Sequence, residues 1–284
     1  MSTYTFLITG CSSGLGHSIA LAALKTGHAV IATARNPSLA SQQYPQIASL
    51  GGIWLELDVT SPSTSAIVAE AVEKYRVNII VNNAGYTLRG VLEDLSLEDY
   101  RSQFETNVFG AIAVTKGAVP YLRTYAPGTI VNISSTSGLT GSPGYTAYAA
   151  SKFALEGFSE SLSAELKDVG VRVLLVESGA FRTNFQGAAA GPIEMHQAYR
   201  GTAADEVIHN RSAQHGKQEG DPVKAGQAIV DAVTLTGAGK ATQGLLRLPL
   251  APGALARTEA KIEDLKDNLE AVRSIAESVV FAES

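Results

Sequence analysis

Tyr148 and Lys152 stand four residues apart in the run YTAYAASKFALEGF, residues 145–158. On an α-helix that spacing puts a phenol and an ammonium on one face. A phenol titrates near pH ~10 and is a poor proton donor or acceptor at neutrality. A nearby ammonium stabilises the phenolate and lowers that value toward the range of general acid–base catalysis. The expectation is an acid–base tyrosine, Tyr148, tuned by Lys152. Tyr145 pairs at the same spacing with Ala149 and cannot use the lysine in that way. Ala149, Ala150 and Ser151 leave space for a flat ring, and Leu155, Phe158, Leu162 and Leu166 form the apolar stripe that anchors the helix. Taken alone, the spacing fits an incidental Tyr–Lys pair equally well.

A second group of residues suits a phosphate. TGCSSGLG, residues 9–16, follows a short apolar run and opens a helical pattern. Gly10, Gly14 and Gly16 permit a tight turn and close backbone approach, and free N–H groups at a helix start favour an anion. The spacing is G-x-x-x-G-x-G, not the dinucleotide fingerprint G-x-G-x-x-G. Ser12, Ser13 and Leu15 complete the expected cofactor loop. Many NAD sites carry an acid at the end of the second strand, for the ribose diol. Here no Asp or Glu occurs before Glu56, and Ala34-Arg35 stands at that end. A guanidinium there grips a 2′-phosphate in a charge-assisted bond of about 1.5–3 kcal/mol, about 10- to 100-fold in affinity. The expected cofactor is therefore NADP(H). Asp58 and Asn83, at the next two strand ends, are expected beside the adenosine.

The elements that must position these groups alternate in type. YTFLIT (4–9), HAVIATA (28–34), GIWLELD (52–58), VNIIVNN (77–83), TIVNISS (129–135) and VRVLLVE (171–177) read as strands, with helical patterns between them. Unbroken Val/Ile/Leu runs fit a parallel sheet covered on both faces, hence a doubly wound α/β fold with ligands beyond the carboxyl ends of the strands. SLED (96–99) reads as a capping box, Pro120 as the end or kink of the helix running on from Asn107, and Asp221-Pro222 as a helix start. Residues 184–220 are Ala/Gly-rich and are expected to cover the substrate. Leu255, Ile262, Leu265, Leu269, Val272, Ile275 and Val279 recur at helical spacing in a C-terminal helix over 252–280, as a packing stripe for the core or for a second subunit.

Composition narrows the class. The 284 residues are 45% hydrophobic and 17% charged, with net charge −5, which suits one catalytic domain over 1–284 and argues against a nucleic-acid surface. Cys11 is the single cysteine, which fits a reducing compartment and excludes an internal disulfide. We read it as a packing residue. His196, His209 and His215 match no zinc spacing. Neither a signal peptide nor a membrane span is legible, so a cytoplasmic protein is expected.

TGCSSGLG, NNAG, Asn107, and the Ser-Ser pair followed by YAASK, in that order, resemble the short-chain dehydrogenase/reductase family from about Thr5 to Thr183. The resemblance implies a Rossmann-type sheet of about seven parallel strands and hydride transfer with a nicotinamide cofactor. It makes Tyr148 the acid–base group and gives Lys152 the nicotinamide ribose as well as the tyrosine. It puts Ser135 on the substrate carbonyl oxygen and has Asn107 kink its helix and hold a relay water. Val59, Ala84, Gly85, Gly179 and Phe181 are further expected cofactor contacts, and Thr183 is expected at the carboxamide. Ser178 departs from the proline common in the family, which would loosen the nicotinamide wall or add a hydroxyl to it. The wording is similar to hydroxysteroid and retinol dehydrogenases and to natural-product ketoreductases. The expected reaction is NADP(H)-dependent reduction of a carbonyl, or oxidation of a secondary alcohol, on a bulky apolar small molecule. Leu139, Tyr145, Phe185, Met195 and Tyr199 are expected to wall its pocket, in a homodimer or homotetramer. The alternatives are a non-redox epimerase or dehydratase on the same scaffold and a non-catalytic NADP(H)-sensing regulator.

Overall fold

In the computed structural model, residues 4–125, 127–185 and 194–281 are described. The six apolar runs become β1 (Thr5–Ile8), β2 (Ala29–Ala34), β3 (Ile53–Glu56), β4 (Ile79–Asn82), β5 (Gly128–Ser135) and β6 (Val171–Ser178). A seventh strand, β7 (Arg247–Leu250), closes one edge. The order is β3-β2-β1-β4-β5-β6-β7, every pairing parallel. This is the expected Rossmann-type doubly wound sheet. The order reverses direction between β1 and β4, and it is beside that crevice that such sheets bind ligands.

Side-chain alternation divides β1 between two cores. Phe6 and Ile8 pack with α1 (Gly14–Lys25) and with Ile229, Val230 and Val233 on one face. Leu7 points to the other face, among Val68, Val72, Val114 and Leu122. These last four lie on α4 (Thr64–Tyr75) and α6 (Gly110–Thr124). In chain order the other helices are α2 (Pro37–Gln43), α3 (Pro45–Ser49), α5 (Leu97–Phe104), α7 (Thr146–Leu166), α8 (Ala203–Ala213), α9 (Pro222–Thr234) and α10 (Pro252–Glu277). The capping box forms as expected: Ser96 Oγ accepts from Asp99 N at 3.2 Å, and Asp99 Oδ2 accepts from Ser96 N at 2.8 Å. Asp221 caps α9, accepting from Val223 N at 2.8 Å, with Pro222 at its first position.

Three features sharpen the expectation. Of the end or kink expected at Pro120, the end does not occur, for α6 runs on to Thr124. Pro120 and Lys116, whose carbonyl the missing N–H leaves free, are both exposed, so water can take the lost bond. Of the two places expected for the α10 stripe, the core or a second subunit, the core is not one: its seven apolar residues are 45–81% exposed, and on that helix only Ala254 is buried. No strand was legible at 247–250, because RLPL is short, half-buried and contains a proline. Pro249 is tolerated because β7 is an edge. Of the segment 184–220, Ala203–Ala213 forms α8, while residues 186–193 lie outside the described residues. No described helix is long and apolar enough to cross a membrane.

The edge strand is held by charge. The Arg247 guanidinium contacts Glu177 on β6 and Glu156 and Glu160 on α7. Glu177 is fully buried and Glu156 nearly so. Removing the cation takes from two buried carboxyl groups the guanidinium they share, which is costlier than the pair itself is stabilising. Arg247→Met is expected to lower unfolding free energy by about 3 kcal/mol, the low end for a buried pair because the guanidinium is partly exposed, and Tm by roughly 5 °C. Urea and thermal unfolding measure this. A loss below about 1 kcal/mol would show that the network does not hold the edge.

Candidate active site

The loop after β1 is fixed from behind. Thr9 Oγ1 accepts from Asn83 N and Ala84 N, both at 2.9 Å. The Asn83 amide donates to Thr9 O at 2.8 Å and Gly10 O at 3.2 Å. These bonds bind the ends of β1 and β4 together and hold Gly10 at φ +69°, where a side chain would be strained. A Cβ on Gly16 would stand 2.3 Å from Asn83 Nδ2 and 2.6 Å from Gly10 O, so only glycine lets α1 begin here. Ser13 stands at the N-cap of α1 without capping it by its side chain, which leaves first-turn N–H groups for an anion. Cys11 is buried under the loop, its thiol donating to Ile8 O at 3.2 Å, and burial pushes it up to about 12. It packs, as expected. Asp58 is held below the usual carboxylate range, first by the backbone N–H and hydroxyl of Thr60, with a smaller contribution from Arg35. Arg35 is exposed at the end of β2 and makes no ion pair or hydrogen bond among the described residues.

The other group gathers where β5 meets α7. Lys152 Nζ donates to Ile133 O at 2.8 Å and lies 5.8 Å from the Tyr148 ring centroid. The four-residue spacing thus places both side chains on one buried face. The Tyr148 phenol hydrogen-bonds the Ser135 hydroxyl, and Ser135 Oγ accepts from Ser137 N at 3.1 Å. The electrostatics differ from the expectation. Burial pushes the phenol up to about 12, and the Ser135 bond opposes this only in part. Burial pulls Lys152 down to about 8, opposed by Glu156 one turn further along α7. Desolvation of each group outweighs the pull of the ammonium on the phenol. Tyr148 therefore rests as a protonated donor.

Asn107 lies in a π-helical turn, Glu105–Phe109, between α5 and α6. Its Oδ1 accepts from Tyr86 N at 3.1 Å, and its Nδ2 donates to Tyr86 O and Ser151 Oγ, both at 3.0 Å. A widened turn at such a position is a common mark of a functional site. The Ser178 hydroxyl donates to Ser134 O at 3.0 Å, tying the end of β6 to β5. The position of the missing proline is thus fastened rather than loosened.

Both groups open on one cavity of about 1180 Å³. Its lining includes Gly10, Ser12, Ser13, Gly14, Leu15, Arg35, Asp58, Val59, Asn83, Ala84, Gly85, Ser135, Tyr148, Lys152, Gly179, Phe181 and Thr183. Gly16 and Asn107 stand behind the wall. Tyr145 and Phe185 line the cavity, with the Phe185 ring 6.0 Å from that of Tyr148. Leu139, Met195 and Tyr199 are not on the lining, and the Tyr199 hydroxyl donates to Glu93 at 2.7 Å. The lining also holds Ser178, in the place of the family proline, and Arg211, Gln214 and Arg257, which the sequence did not single out as site residues. Arg211 and Arg257 follow no local signal, since tertiary packing alone brings α8 and α10 to the cavity. A dinucleotide fits this donor set: an anion cradle at one end, an acid–base pair at the other, and continuous space between them.

The comparisons agree. The family model described as short chain dehydrogenase matches residues 4–191. The chain is 52% identical over 207 residues to oxidoreductase claN of Passalora fulva, covering 72% of this chain and 94% of that one. It is 35% identical to oxidoreductase calM of Penicillium decumbens over 96% of this chain and 91% of that one. A short-chain dehydrogenase from Streptomyces avermitilis superposes with TM-score 0.86 at 34% identity, covering 99% and 100% of the two chains.

The loop packing sets a measurable expectation. The Cys11 thiol should stay unreactive toward an aromatic disulfide reagent at pH 8 in the folded protein and react fully in denaturant. Gly16→Ala should make it reactive in the folded protein by displacing Asn83. An unreactive thiol in a folded, stable Gly16→Ala variant would contradict the packing described.

Proposed function

The chain belongs to the short-chain dehydrogenase family, and from that premise we propose that this oxidoreductase uses NADP(H) to reduce the carbonyl of a bulky ketone or aldehyde. The observation that carries the reading is the buried Tyr148–Lys152 face opening, with Ser135, on the cavity that also holds the loop cradle. A bound reduced nicotinamide supplies hydride to the carbonyl carbon. Ser135 and Tyr148 hold the carbonyl oxygen, and Tyr148 donates the proton as negative charge develops there. A phenol raised to about 12 supports that direction, because it stays protonated at neutral pH while the forming alkoxide is far more basic. Lys152 keeps positive charge beside the phenolate left behind. Asn107 fixes the backbone of Tyr86 and the Ser151 hydroxyl on the far side of Tyr148. Arg35 supports NADP(H) over NAD(H): it is an exposed cation that makes no ion pair or hydrogen bond among the described residues, at the strand end that faces an adenosine ribose. Phe185 and Tyr145 supply aromatic wall for an extended carbon skeleton. The exposed Phe109 and Phe153, beside Asn107 and Lys152, support a homodimer or homotetramer built on those helices, and one buried free thiol suits the cytoplasm.

Three outcomes test this. Tyr148→Phe should lower kcat for ketone reduction by about 10²–10⁴-fold with cofactor binding retained. Arg35→Ala should cost about 10- to 100-fold in NADPH affinity by calorimetry and leave NADH affinity in place. The pH profile of kcat/KM for reduction should be level near neutrality and fall as pH rises through about 8, where Lys152 loses its charge. Glu156→Gln removes a charge that favours the ammonium, so it should move the fall to lower pH. A fully active Tyr148→Phe enzyme, or an Arg35→Ala enzyme with unchanged NADPH affinity, would remove the corresponding assignment.

A further inference from the structure

The substrate end of the cavity carries two guanidinium groups that no carboxylate answers among the described residues. Arg211 comes from α8 and Arg257 from the first turns of α10, and both line the cavity. They converge on one neutral acceptor: Ser142 Oγ accepts from Arg257 Nη2 at 3.1 Å and from Arg211 Nη2 at 3.3 Å. Arg257 also reaches Thr136 Oγ1 at 3.4 Å, next to Ser135 in sequence. The Arg211 guanidinium lies 4.5 Å from the Tyr145 ring centroid, and its charge is felt at the Tyr148 phenol. Asp58, Glu98 and Glu105 are the acids of the lining, yet none is within ion-pair distance of either arginine. Both side chains are half-buried, and the Arg257 guanidinium is held below its usual range first by burial and then by Arg211.

Two like charges brought together in a partly desolvated wall raise the free energy of the empty pocket. A structural clamp on Ser142 would need one of them at most, and a neutral side chain would serve. An anion between them turns the repulsion into two charge-assisted bonds, and guanidinium forks match a planar carboxylate. We propose that Arg211 and Arg257 form an anion subsite, so that the substrate is a keto acid whose carboxylate docks there while its carbonyl meets Ser135 and Tyr148. This rests on the reductase reading and refines it: the apolar skeleton expected from the sequence carries a negative group at one end. Arg35 lies on a different strand end and serves a different anion, that of the cofactor.

The test compares an aromatic keto acid with its methyl ester. With NADPH, the wild type should show kcat/KM at least about 10-fold higher for the acid, mostly through KM. Arg211→Gln and Arg257→Gln should each shrink the acid-to-ester ratio, and the double variant should bring it near one. Arg257→Lys should retain part of it. Binding is read separately by calorimetry without cofactor, using benzoate, phenyl phosphate and inorganic phosphate. Benzoate should bind the wild type and Arg35→Ala alike and fail to bind the double variant. Preference for phenyl phosphate over benzoate would assign the subsite to a phosphate ester and overturn the carboxylate. Equal acid and ester turnover, or benzoate binding untouched in the double variant, would overturn the subsite itself. If the wild type reduces neither ketone, the reductase reading fails while the benzoate measurement still decides the anion subsite.

Discussion

The bond from Lys152 Nζ to Ile133 O, 2.8 Å long, is the constraint on which the site depends. It crosses from the second turn of α7 to the last residues of β5 and so fixes the face that α7 shows the sheet. Once that face is set, Tyr148 must stand beside Ser135, because one lies a helical turn before the lysine and the other two residues beyond the carbonyl. The bond also explains how an ammonium is kept in a buried place, where an unsatisfied charge would be very costly. Below it, Glu156, Glu177 and Arg247 continue the same column toward the edge of the sheet. The acid–base pair is thus the upper end of a charge ladder whose lower end closes the fold.

That ladder accounts for the direction in which the two titrating groups move. Here both are buried, and each group first loses its hydration, which raises the phenol and lowers the lysine. The result is a neutral donor above a weakly basic amine, an arrangement suited to giving a proton to a developing oxyanion. The Ser135 hydroxyl, anchored by Ser137 N, adds a fixed dipole at the same point.

Much of this was legible in the amino-acid order because it is local. The six apolar strands, the loop glycines, the capping box at Ser96 and the Tyr148–Lys152 spacing depend on neighbours within a few residues. Asn107 and Ser135 were placed by resemblance, and the structure brings Ser135 to the wall formed by α7 and β5 and Asn107 behind it, against Ser151. What escaped was non-local or weakly patterned. β7 has one proline and one arginine in four residues, and its partner β6 lies some seventy residues earlier in the chain. Arg211 and Arg257 reach the cavity through the packing of α8 and α10. Leu139, Met195 and Tyr199 were sensible guesses for a pocket wall, yet their loops turn them elsewhere. The α10 stripe has a clear helical period, but periodicity reports amphipathicity and not what covers it.

The π-helical turn at Glu105–Phe109 has a consequence for how this site tolerates change in chain length. It accommodates one more residue than an α-helical turn would, and a residue in a helix is worth about 100° of rotation. Excising a single residue there would let 97–124 wind as one regular rod. The half bearing Gln103 and Phe104 would then swing by that angle against the half bearing Val114. Asn107 would leave Tyr86 and Ser151 even though its own identity was preserved. Across this hinge a shift of reading register by one position is therefore harsher than most exchanges of side chain, and insertions or deletions, rather than substitutions, set the limits within which the segment can drift.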